Sequence, residues 1–158
     1  MKIALIGAGN LATNLGRALV EAGHTVCQVY SRTLASAETL ASKLGSRGVN
    51  SLAEVVSDAQ LYIVALKDSA LDEVLPVLLK GRSQALWVHT AGSVPMSVWL
   101  ALGLKHYGVM YPMQTFSKAR EVDFAEIPIF LEASGKMEMD ILKSVAASMS
   151  HRVYEADS

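Results

Sequence analysis

Cysteine is nearly absent from this chain. Cys27 stands alone among 158 residues, so no internal disulfide can form, and a reducing compartment, by default the cytoplasm, is expected. Long hydrophobic runs are missing too: half the residues are apolar, yet no stretch approaches the roughly 18–20 residues a membrane span needs. The first apolar segment is only about five residues long and runs straight into a glycine turn, which is not the build of a secretory signal. Nor does one sign of charge dominate. The 14 basic and 15 acidic residues leave a net charge of −1 without a dense basic block, which argues against nucleic-acid and membrane-surface partners. No Cys/His spacing of a metal site occurs. What remains is an expectation of one domain, long enough to bury a real core.

The stretch Lys2–Ala12 organises the rest. Ile3, Ala4, Leu5 and Ile6 form a short continuous apolar run, the pattern of a parallel strand buried on both faces. Gly7, Gly9 and Ala12 follow with G-x-G-x-x-A spacing, and a helical pattern begins at once. Gly7 permits a tight turn, Gly9 has no Cβ to hold off a pyrophosphate, and Ala12 lets the helix lie close to the sheet. The free N–H groups and positive end of that helix would face the phosphates. Between a strand and a helix, this spacing points to a bound dinucleotide contacted by Gly7, Ala8, Gly9, Asn10 and Leu11.

Downstream, strands and helices alternate. Periodicity predicts helices over Asn10–Ala22 and Leu34–Leu44, each stopped by a glycine, Gly23 and Gly45. Strands are predicted over His24–Tyr30, around Val49, and over Leu61–Leu66, Leu86–Thr90, His106–Tyr111, Ile127–Glu132 and His151–Tyr154. Ser51 and Glu54 have capping-box spacing for a short helix through Val56. A helix over Ser69–Lys80, with Ser69 as N-cap, should kink or break at Pro76. Short helical turns near Met96–Leu102 and a longer helix over Lys136–Met149 follow. Glu138 and Asp140 are expected on a solvated face of that last helix, and Pro128 suggests an edge strand. Met113–Phe124 has no period. The alternation implies an α/β fold, a doubly wound and mainly parallel sheet with strand order 3-2-1 in its first half. Ligands in such sheets lie beyond the carboxyl ends of the strands, near the switch point beside strand one.

The second of those ends reads Tyr30, Ser31, Arg32, Thr33. An NAD site usually offers an acid here to the ribose hydroxyls. This chain has two hydroxyls and a guanidinium instead, a set suited to a 2′-phosphate, so NADP is favoured over NAD. Arg32 as a solvated surface charge and Thr33 as an N-cap remain the plain alternatives. Leu66, Lys67 and Ser93 should flank the nicotinamide half. Lys67 is otherwise a solvated lysine and Ser93 an N-cap; these two are the only candidates for catalysis. Tyr111, Met113 and Gln114 should form a substrate-pocket wall. His89, inside an apolar strand, reads as a core histidine, His106 as structural and Cys27 as a small core residue.

Four stretches carry a resemblance: G-A-G-N-L-A at residues 7–12, V-A-L-K-D-S-A at 64–70, V-H-T-A-G-S-V-P at 88–95 and Y-G-V-M-Y-P-M-Q-T-F-S at 107–117. Together they resemble a family of Rossmann-like oxidoreductases related to pyrroline-5-carboxylate reductase and, more distantly, 6-phosphogluconate dehydrogenase. The resemblance implies an NAD(P)-binding domain over residues 1–155. It also implies an all-helical C-terminal domain that makes a homodimer and supplies part of the active site. The chain stops at Glu155–Ser158, where that region would begin, so the helical domain is expected to be absent here. The function expected is NADP-dependent reduction of an imine or carbonyl in a small metabolite. A non-catalytic NADP-binding or sensing module is the alternative.

Overall fold

The computed structural model describes residues 1–156. Eight strands form one sheet: β1 (Lys2–Ile6), β2 (Thr25–Tyr30), β3 (Arg47–Val49), β4 (Leu61–Val64), β5 (Leu86–His89), β6 (Tyr107–Pro112), β7 (Ile129–Ala133) and β8 (Val153–Glu155). Their order is β3-β2-β1-β4-β5-β6-β7-β8, with the chain reversing direction across the sheet at β1. Neighbours pair in parallel except β6 and β7, which are antiparallel. The helices are α1 (Asn10–Glu21), α2 (Leu34–Leu44), α3 (Asp68–Leu78), α4 (Ser97–Ala101) and α5 (Lys136–Met149).

The strand periodicity of two divides the core. Ile3 and Leu5 of β1 join the layer under α1, α2 and α5, while Ala4 and Ile6 join the layer under α3 and α4. Burial on both faces is why β1 reads as an unbroken apolar run. In the second layer the Tyr62 ring stacks on Trp87 at 4.3 Å between centroids, and Trp99 tilts against Trp87 at 6.1 Å. The Trp99 Nε1–H donates to the Gly108 carbonyl at 2.9 Å, so its one polar atom is satisfied inside the core. Cys27 is half-buried, with its thiol donating to the Ile3 carbonyl at 3.3 Å, and burial raises its pKa. Among the described residues, no helix is long and apolar enough to cross a membrane.

Several local expectations fail for identifiable reasons. Ser51 makes no side-chain cap, and Leu52–Glu54 is a single 3₁₀ turn rather than an α-helix. Helix α3 starts one residue before Ser69, with Lys67 in the N-cap position, and continues through Pro76. It survives because Leu71, Leu75 and Leu78 anchor it to the core. Asp72, whose carbonyl loses its partner to the proline, is an exposed residue. Pro128 does not mark an edge: it precedes β7, and β8 pairs along the far side of that strand. Glu138 is not solvated but 7% exposed, and its Oε2 lies 2.5 Å from the Nδ1 of His106. That hydrogen bond ties α5 to the start of β6 and holds the carboxyl's pKa below its ordinary value.

Candidate functional site

Hydrogen bonds set the carboxyl ends of the central strands level. The Gly7 N–H donates to the Tyr30 carbonyl at 2.8 Å, Ala65 N–H to Ile6 at 2.8 Å, and Ser31 N–H to Val49 at 3.1 Å. Gly7 turns out of β1 with φ +129°, and a Cβ there would stand 2.4 Å from the Ala65 carbonyl oxygen. No side chain fits between those two strand ends. Gly9 is different. Its φ of −82° suits any residue, but a Cβ on it would meet nothing within 4 Å. The space above it is empty of protein.

That space belongs to a cleft of about 440 Å³ lined by Gly7, Ala8, Gly9, Ser31, Arg32, Ser36, Ala65, Leu66, Lys67, Ser69, Ala70 and Lys118. Helix α1 opens onto it with no side-chain cap and no acidic residue in its first turn. Its first N–H groups and the positive end of its dipole are therefore unanswered by any protein anion. The lining carries three cations and no carboxylate, and Arg32, Lys67 and Lys118 form no ion pair with a described residue. A diphosphate meets every one of these features: open backbone at Gly9, uncapped N–H donors and excess positive charge. The residues present fit the group.

Of the residues singled out in the sequence, Gly7, Ala8, Gly9, Ser31, Arg32, Leu66 and Lys67 come together on this lining. Asn10 and Leu11 lie in the first turn of α1 just behind it, with Leu11 half-buried against the core. Thr33 sits at the N-cap position of α2, yet its hydroxyl bonds the Ser36 hydroxyl at 2.8 Å instead of capping the helix. Ser93 is exposed, and its Oγ donates to the Asp68 carboxylate at 2.9 Å, joining the loop after β5 to the first residue of α3. His89 is 1% exposed. Its Nδ1 accepts the Ala91 N–H at 3.1 Å, and burial pushes its pKa below the ordinary value. The Pro95 carbonyl opposes that shift without reaching hydrogen-bond geometry, so Nε2 has no partner. A neutral imidazole packed on Trp99, ring centroids 5.9 Å apart, is a core group.

Tyr111 and Met113 line a separate hollow of about 250 Å³ with Gly92, Val109, Phe130, Glu132 and Ala156, and Gln114 is exposed outside it. The Tyr111 ring lies against Gly92, where a Cβ would come within 2.7 Å of it. Ala65 and Ser69 bound the segment after β4 that the sequence already marks, with Leu66 and Lys67, as a strand end facing the ligand. Sequence reasoning missed Ser36, Ala70 and Lys118. The first two adjoin marked segments and follow from where α2 and α3 begin. Lys118 comes from the aperiodic Met113–Phe124 segment, and no pattern announces it.

Strand order, glycine turn and uncapped helix define a Rossmann-type α/β domain. The family model described as "NADP oxidoreductase coenzyme F420-dependent" matches residues 2–88, and the chain belongs to that family. It is 57% identical to a candidate NADP oxidoreductase from Bacteroides fragilis, with a TM-score of 0.95 over 99% of this chain and 60% of that one. An imine reductase from Myxococcus stipitatus, solved with NADP+, is 19% identical at a TM-score of 0.80, covering 99% of this chain and 55% of its own, and shares the fold. Pteridine reductase 1 of Leishmania tarentolae is 37% identical over 79 residues, which are 50% of this chain and 27% of that protein. The chain thus spans 60% of the Bacteroides relative and about a quarter of the Leishmania one. It carries an NADP oxidoreductase-type domain.

Proposed function

We propose that residues 1–155 bind NADP, in preference to NAD, as the cofactor domain of a cytoplasmic oxidoreductase that reduces an imine or carbonyl in a small metabolite. The observation that carries this reading is the conjunction of an open Gly9 at an uncapped helix with an ion-pair-free Arg32 in one cleft. Gly7, Ala8, Gly9, Asn10 and Leu11 would hold the diphosphate, and Ser31, Arg32 and Thr33 the 2′-phosphate. Leu66, Lys67 and Ser93 would flank the nicotinamide. The cofactor supplies the hydride; the chain's own work is to bind, orient and exclude water. Lys67, an exposed ammonium on the lining, is the group able to hand a proton to a reduced substrate atom, with Ser93 nearby. Tyr111 and Met113 would wall the substrate side. By the family resemblance, an all-helical domain would complete the site and make a homodimer.

One observation favours a second reading, an NADP-binding or sensing module without turnover. The cleft lining holds no histidine or carboxylate that could serve as a general acid. A turnover screen on a protein that carries the helical domain as well separates the two. NADPH oxidation at 340 nm, with imines, keto acids and coenzyme F420 as acceptors, should reveal at least one substrate, whose rate falls when Lys67 becomes Met. Tight NADPH binding with no acceptor turned over would support the module instead.

A further inference from the structure

We propose that Lys118 is a second holder of the cofactor's 2′-phosphate, facing Arg32 across the cleft, and so a determinant of NADP preference. The inference rests on the NADP-binding reading above.

Lys118 stands where two hollows meet. Besides the main cleft it lines a smaller one of about 180 Å³ with Ala8, Thr13, Ser36, Thr39 and Lys43. The two share Ala8, Ser36 and Lys118. Lys118, from the long β6–β7 connection, thus shares one hollow with Arg32 at the end of β2 and the other with Lys43 in the last turn of α2. None forms an ion pair with a described residue, and neither lining contains a carboxylate. Gathered positive charge without a protein counter-charge is the electrostatic footprint of an anionic ligand. The first-turn N–H groups of α1 already provide for a diphosphate. What Lys118 adds is a second cation on the lining that Arg32 shares with Ser36 at the start of α2, where a 2′-phosphate belongs. Helix α2 also begins there without a side-chain cap.

The segment bearing Lys118 is held in place by its neighbours. Asn14 of α1 is 2% exposed, and its Nδ2 donates to the carbonyls of Asn10 and Ser117, each at 2.9 Å. Phe116 and Phe124 are both buried and stack at 5.7 Å, and Glu121 lies 3.8 Å from Arg17. Lys118 is one residue from the Asn14 anchor. Asn14 is thus a positioning residue: it touches no proposed ligand atom but fixes the backbone from which Lys118 reaches over the cleft.

Calorimetric titration of the 158-residue chain with NADPH, NADH and adenosine 2′,5′-bisphosphate tests this. Lys118→Ala should weaken NADPH and the bisphosphate by about five- to tenfold while changing NADH by less than about twofold. Lys118→Arg should retain most of the preference. Asn14→Ala should lower the NADPH-to-NADH affinity ratio, and lower it no further when residue 118 is already Ala, a coupling that general destabilisation does not produce. Equal losses for NADPH and NADH, or none, would overturn the assignment while leaving the NADP reading intact. Failure of the unaltered chain to bind either dinucleotide would sink the NADP reading, and this inference with it.

Discussion

Replacing Gly9 with valine should separate binding from folding. Gly9 has φ −82° and ψ −161°, extended backbone that a β-branched residue adopts readily, and its Cβ position is free of contacts. A glycine replaced at a compatible conformation gains about 0.4–1 kcal/mol through the unfolded chain. Loss of glycine at an N-cap costs a similar amount. The two nearly cancel, so the melting temperature should move by no more than about 3 °C. Binding is another matter, because the valine methyls would occupy the space left for the diphosphate. Two charge-assisted hydrogen bonds from α1, each worth about 1.5–3 kcal/mol, would be lost. Affinity for NADPH should therefore fall by at least about 100-fold. Titration calorimetry beside thermal unfolding reads both quantities on one sample. A folded Gly9→Val chain that binds NADPH within about threefold of the original would refute the reasoning.

Gly7→Ala should do the opposite. At φ +129° and 2.4 Å from the Ala65 carbonyl oxygen, the new methyl brings backbone strain and overlap, and urea unfolding should show a loss of about 2–5 kcal/mol. A change under about 0.5 kcal/mol would contradict the strand-end geometry. Stability should also depend on acid. His89 has a lowered pKa when folded, so the unfolded chain takes up its proton first, and stability declines as pH falls through the ordinary histidine value of 6.5. Glu138 likewise has a lowered pKa, so its contribution is present above the ordinary glutamate value of 4.5 and is lost as pH drops below it. Urea midpoints should fall through both ranges, and Glu138→Gln should shrink the fall below the glutamate value while leaving the fall through the histidine value; a flat profile would contradict both.

Much of this architecture is legible in the residues because local pattern and tertiary packing agree. Leu34–Leu44 and Lys136–Met149 are helices over the spans their periodicity marks, and β1 is short, apolar and followed at once by a glycine turn. The departures occur where a distant segment outweighs a local signal. Pro128 reads as an edge until β8 is laid beside β7, and Glu138 reads as solvated until His106 is brought beneath it. Ser69 has the chemistry of an N-cap, but the helix starts one residue earlier, and the Asp68 carboxylate then accepts from Ser93. The cleft follows the same rule. Its glycines and Arg32 are readable because turn and strand end are local. Lys118 is not, because its position depends on Asn14, 103 residues from Ser117 along the chain.

The measurement closest to the central claim is a paired titration of NADPH and NADH into the chain and its Arg32→Ala variant. NADPH should bind at least about tenfold more tightly than NADH to the original chain, and the substitution should bring the two affinities together by weakening NADPH alone. Equal affinities in the original chain, unchanged when Arg32 is replaced, would contradict the account.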